Sequence, residues 1–102
     1  MPIVEERYFE EHYRIIRVAG EGRVFYSIDY YKLLERPPEE CSSVIEMGDV
    51  RLCYIDRGRC VITILITPNR VELVSLRLVV DEGEDPGFEG AKSECYKRAE
   101  SL

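Results

Sequence analysis

The stretch RLCYIDRGRCVITILIT, Arg51 to Thr67, decides how this chain folds. Apolar residues alternate on both sides of a short polar segment containing Gly58, the period of two half-buried β-strands joined by a turn. Reading Asp56-Arg57-Gly58 as a three-residue turn, with Gly58 in a left-handed bulge conformation, pairs Tyr54 with Cys60, Leu52 with Ile62 and Val50 with Ile64. In that register Cys53 faces Val61 and points away from Cys60.

The pattern extends in both directions. Upstream, Gly48-Asp49 suits a two-residue II′ turn, which sets Met47 opposite Val50 and Ile45 opposite Leu52. Downstream, TPNR carries Pro68 and Asn69 at the second and third positions of a type I turn and pairs Ile66 with Val71 and Ile64 with Leu73. The apolar phase then shifts to Leu76, Leu78 and Val80. A β-bulge near Val74-Ser75 accounts for the shift and returns Leu76 opposite Ile62 and Leu78 opposite Cys60. Residues 43 to 80 thus read as a four-stranded antiparallel meander. Its strongly apolar face holds Ile45, Met47, Val50, Leu52, Tyr54, Cys60, Ile62, Ile64, Ile66, Val71 and Leu73.

Such a face needs a cover. Phe88, Ala91, Cys95, Ala99 and Leu102 recur at helical spacing near the C-terminus and supply one. Near the N-terminus, HYRIIRVAGEGRVFYSI reads as another hairpin around Gly20-Glu21-Gly22, matching Ile16 with Tyr26 and Val18 with Val24. Residues 3 to 11 and 28 to 36 are candidates for short helices, the second capped by Asp29. Residues 3 to 18 can equally be read as one strand. The proline-containing segments 35–43 and 81–90 interrupt regular structure. The expected fold is one α+β domain over residues 1–102. It is an antiparallel meander of four to six strands with a C-terminal helix packed on one face and one or two short N-terminal helices.

At 102 residues, 45% hydrophobic and 33% charged, the composition is that of one globular domain with a single core. No apolar run is long enough to span a bilayer, and the acidic start MPIVEERYFEEH argues against a signal peptide, so a cytoplasmic protein is expected. The net charge of −6 and eleven scattered arginines disfavour general binding to nucleic acid or to anionic membrane. The chain has no Gln, one Asn and no Trp, but abundant Glu, Arg, Val and Ile. This is the pattern of hyperthermophile proteins, whose intracellular members do form disulfides.

Cys41, Cys53, Cys60 and Cys95 are separated by 11, 6 and 34 residues, which fits neither a structural zinc site nor a thioredoxin-like motif. If one disulfide forms, it joins Cys95 to Cys41 or Cys60 and ties down the terminal helix. His12, beside Glu10 and Glu11, reads as a surface residue rather than a catalytic base. No phosphate-binding glycine loop or metal loop is present, so no cofactor is expected and the motifs identify no small-molecule ligand. VFYSIDYY, residues 24–31, concentrates aromatics of the kind that serve at interfaces or stack on bases.

The second sheet face carries Val44, Cys53, Ile55, Val61, Leu65, Val74 and Val79 among Arg51, Thr63, Thr67, Glu72 and Arg77. It is too apolar to be left fully wet. The expected function is a non-enzymatic protein-binding or assembly module, most simply a homodimer, with Tyr31, Val44, Cys53, Ile55, Val61 and Leu65 at the interface. One alternative is a nucleic-acid-associated regulator whose arginines and tyrosines cluster in space. Another is a small ligand-binding protein or enzyme.

Overall fold

The computed structural model describes residues 3–10 and 13–102. The strands are β1 (Val4–Glu10), β2 (Tyr13–Gly20), β3 (Arg23–Ile28), β4 (Lys32–Leu34), β5 (Ser43–Met47), β6 (Val50–Arg57), β7 (Cys60–Ile66) and β8 (Val71–Asp81), followed by helix α1 (Gly87–Glu100). They form one antiparallel sheet in the order β1-β2-β3-β8-β7-β6-β5, with β4 also paired to β8. The fold is α+β, with eight strands rather than four to six, and α1 is the one α-helix among the described residues.

Both expected N-terminal helices are strands instead. β1 pairs with β2 residue for residue, from Val4↔Ala19 to Glu10↔Tyr13. Its charged residues suit an edge strand, where one side of the ladder faces water. Residue 11 of that expected helix and His12 lie outside the described residues. The second candidate splits instead. Ile28 ends β3, and β4 pairs with the first part of β8 through Leu33↔Glu72. Asp29 caps no helix: its backbone N–H donates to the Arg14 carbonyl at 2.9 Å, and its carboxylate pairs with Arg14 at 3.0 Å.

Three tight turns set the registers. Gly48-Asp49 joins Met47 to Val50 with Gly48 at φ +62°, the expected geometry. Ile66 pairs with Val71. The bulge also falls where the phase shift places it: Ile64 pairs with Leu73 but Thr63 with Ser75, and beyond it Ile62 meets Leu76 and Cys60 meets Leu78. The β6–β7 turn differs. Arg57 pairs with Cys60, so only Gly58 and Arg59 form the turn, and Gly58 takes φ +61°. Ile55 therefore meets Ile62 and Cys53 meets Ile64.

This register differs by three residues from the three-residue reading. Because side chains alternate, an odd shift turns all of β6, and β5 with it, to the opposite face. The first hairpin shows the same effect. Glu21 (φ +53°) and Gly22 (φ +81°) alone make its turn, so Arg17 rather than Ile16 meets Tyr26.

α1 covers one face of the sheet. Ala91, Cys95 and Ala99 are its fully buried residues, and their small side chains let the helix lie close above β7 and β8. Beneath and beside it the core comprises Ile15, Val24, Tyr26, Ile28, Cys53, Ile55, Cys60, Ile62, Ile64, Leu73, Leu76, Leu78 and Val80. Phe88 and Leu102, at the two ends of the helical stripe, pack at the margin of this cluster. Phe88 meets Tyr26 edge-on at 5.9 Å between ring centroids, and Tyr96 meets Tyr30 at 4.8 Å.

Candidate interaction surface

Two disulfides close the helix-covered side. Cys60 bonds Cys95, fastening β7 to α1, and Cys41 bonds Cys53, fastening the segment before β5 to β6. Cys53 and Ile55 are buried in the core, and Val44, opposite Cys53, lies at the edge of the same face. Three of the residues assigned to an interface, Val44, Cys53 and Ile55, therefore belong to the helix side. The other three lie elsewhere: Val61 and Leu65 point to the open face, half-buried, and Tyr31 lies exposed beside it.

The inverted register fills the open face with apolar side chains that the three-residue turn would have buried. Ile45, Met47, Val50, Leu52 and Tyr54 join Val61 and Leu65 there by direct cross-strand pairing. Across β8 the same face continues through Val79 and Phe25 to Val18. Ile45 is 48% exposed, Met47 55%, Val79 45% and Leu33, which lies opposite Glu72, 59%. No element of the described chain lies over them.

The middle of this face is polar. Thr63 and Glu72 are only 6% and 8% exposed, shielded by larger neighbours. The Tyr31 hydroxyl donates to Glu72 at 2.6 Å. This bond, reinforced by partial desolvation, raises the Tyr31 hydroxyl above its ordinary pKa. Arg77 donates to the Thr63 hydroxyl at 3.3 Å and lies 5.4 Å from the centre of the Tyr54 ring, within cation–π range.

Charges on this face are balanced, although the chain is acidic. The register places Arg7, Arg14, Arg23 and Arg77 on it against Glu5, Asp56, Glu72 and Asp81, with Asp29 directly after β3. Three of these arginines are paired: Arg7 with Glu5 at 3.2 Å, Arg14 with Asp29 at 3.0 Å and Arg23 with Asp81 at 3.3 Å.

A second polar cluster sits on the helix side. The Tyr26 hydroxyl donates to one oxygen of Asp85. Arg17 reaches the other oxygen from Nη2 at 2.6 Å and also donates from Nε to the Tyr26 hydroxyl at 3.2 Å. Asp85 accepts the Gly87 N–H at 3.0 Å as well, so it anchors the start of α1 to the sheet. Burial, then the bond to Asp85, pushes Tyr26 up to about 12. Burial alone would raise the Asp85 carboxyl, but hydrogen bonds from Tyr26, Gly87 and Arg17 together hold it below its usual range. The Asp85 bond, opposed by burial, raises Arg17 further above its already high value. The cluster is thus a neutral phenol between a fixed cation and a fixed anion, suited to holding the loop after β8 rather than to moving a proton. Residues 17, 26 and 85 share no spacing that would announce it.

A groove of about 540 Å³ runs between residues 32–39 and Ser101-Leu102. Its Lys32 ammonium donates to the Leu102 carbonyl at 3.0 Å. Among the described residues no group of three or more His, Cys, Asp or Glu side chains could hold a metal ion, and no helix is long and apolar enough to cross a membrane. No protein-family model, curated protein or solved structure matches the chain.

Proposed function

We propose that this chain is a non-enzymatic protein-binding module for assembly, and that the open sheet face is its contact surface. The observation that carries the reading is the set of large apolar side chains, Ile45, Met47, Val79 and Leu33, left half-exposed around the polar middle of one face. A soluble chain gains by covering a patch of this kind, because each Å² of apolar surface removed from water contributes about 25 cal/mol. Nucleic-acid binding has less support. The chain carries a net charge of −6, and among the described residues six arginines already lie beside carboxylates, which weakens the positive field that phosphate recognition needs. The composition favours a hyperthermophile source, and in such a source the two disulfides are compatible with the proposed cytoplasmic setting.

An apolar fluorescent probe tests the contact surface. Anilinonaphthalene sulfonate is expected to bind any chain whose face is uncovered, and the Ile45→Glu, Val79→Glu variant, whose carboxylates do not attract the anionic probe as lysines would, is expected to bind much less of it. Equal, weak binding by native and variant chains under conditions where both are monomeric would overturn the reading. A salt-sensitive shift with DNA or RNA would favour the nucleic-acid alternative instead.

A further inference from the structure

Resting on the reading of the open face as a contact surface, we infer that its occupant is a second copy of this chain, packed sheet against sheet. Three properties of the face select that partner. The first is size. The molecule measures 43 × 28 × 20 Å, so the sheet presents a face on the order of 1,000 Å², against roughly 800 Å² per partner in a stable interface. A short peptide would leave most of it wet.

The second is charge. The chain carries six net negative charges, but the open face holds four arginines against five acids, and three of those arginines are already ion-paired within the chain. Two copies brought together by this face meet little repulsion, because most of their excess negative charge points away from the contact. A strongly basic or strongly acidic partner finds no matching field here. The third is shape. An antiparallel sheet with an apolar outer face packs on another at about 10 Å, which is how two-sheet domains make their cores. In this chain α1 supplies the cover on one side only, and a second copy supplies it on the other. Tyr31 and Glu72 would then sit between the sheets already bonded to each other, and Arg77 would keep its bond to Thr63, with its buried Nε still to be partnered.

The test uses the native chain and two double variants, Ile45→Lys with Val79→Lys and Ile45→Glu with Val79→Glu. Both positions are about half exposed, so the substitutions leave the helix-side core intact. Light scattering at 10–100 μM, a span chosen on the order of ordinary dimer affinities, is expected to give twice the 11.9 kDa chain mass for the native protein. Each variant is expected at the single mass, and an equimolar mixture of the two is expected to recover the double mass. Circular dichroism checks that each variant is folded, and Glu46→Lys, on the opposite side of β5, serves as a control expected to remain dimeric. A native chain that is monomeric throughout overturns the second copy as occupant. So does a native dimer that both double variants preserve, because the contact then lies elsewhere. If the monomeric native chain still binds the apolar probe and the glutamate variant does not, the face remains a contact surface for a different protein. If it binds none, both readings fail.

Discussion

Cys53 and Cys60 stand on the same face of adjacent strands, and each is bonded to a cysteine outside them, Cys53 to Cys41 and Cys60 to Cys95. The CYIDRGRC stretch therefore contributes two separate covalent ties rather than a paired-thiol site. Both ties point toward the helix side. The open face carries no cysteine, so its apolar character comes from aliphatic and aromatic side chains alone.

The two bonds close loops of different length, with sequence separations of 12 and 35. In the chain-entropy model such loops stabilise by about 3 and about 4 kcal/mol. Non-reduced peptide mapping is expected to recover the 41–53 and 60–95 linkages. Denaturant unfolding is expected to show a larger loss for the paired Cys60→Ala, Cys95→Ala variant than for Cys41→Ala, Cys53→Ala, by about 1 kcal/mol. Equal losses, or any other linkage, would contradict this arrangement.

The two-residue turn Gly58-Arg59 fixes which side of β6 faces the core, and the positive φ it places at Gly58 is open to direct test. At φ +61° an L side chain is strained by about 1 kcal/mol, and a Cβ there would also come within 3.3 Å of the Arg98 guanidinium. Gly48 has nearly the same φ, +62°, but nothing within 4 Å of a built Cβ. Gly58→Ala is therefore expected to destabilise at least as much as Gly48→Ala in denaturant unfolding. Any excess should disappear in an Arg98→Ala background. If Gly58→Ala has no effect, Gly58 does not hold the left-handed conformation that the two-residue turn requires.

How far the fold could be read from sequence follows from the same turn. The β7–β8 pairing was legible because Pro68-Asn69 admits one turn and the phase shift at Val74 marks the bulge. The β5–β6 pairing was legible from Gly48-Asp49. The β6–β7 register was not, because β6 is apolar on both sides. Val50, Leu52 and Tyr54 compete with Cys53 and Ile55, so burial gives no preference and the turn alone decides. β1 was obscured by its charges, which an edge strand tolerates. That some apolar face stays open was legible, but half of the residues assigned to it belong to the other side.

The Tyr26–Asp85–Arg17 cluster gives stability two pH limits. Tyr26 has its pKa raised to about 12 in the folded chain, above the roughly 10 of an unfolded tyrosine. Its contribution is complete below pH 10 and is lost as pH rises toward 12, about 2–3 kcal/mol in all. Asp85 is shifted the other way. Its contribution is present above the unfolded carboxylate range near pH 4 and is lost as pH falls through its lower folded value. Tyr26→Phe is expected to cost about 1–2 kcal/mol at neutral pH and to reduce the alkaline loss between pH 10 and 12, leaving the part that comes from Tyr31. Unfolding series at pH 3, 7 and 11, with phenolate absorbance to follow tyrosine ionisation, check both limits. An unchanged alkaline slope in Tyr26→Phe would remove this cluster as its source.

Helix α1 owes its position to what its buried side chains lack. Ala91, Cys95 and Ala99 are each fully shielded from solvent, and the residues around them, including Leu76 and Leu78 of β8, are shielded to the same degree. A larger side chain at Ala91 or Ala99 enters a solvent-free interior, where overpacking lifts the helix or distorts the core, typically at 1–3 kcal/mol. The 60–95 bond sits between the two alanines and resists lifting. Ala91→Leu and Ala99→Leu are therefore expected to destabilise the oxidised chain measurably. They should also unfasten α1 once the disulfide is reduced, seen as faster amide exchange across residues 87–100. An additional stabilisation by either leucine would mean that a cavity lies under the helix.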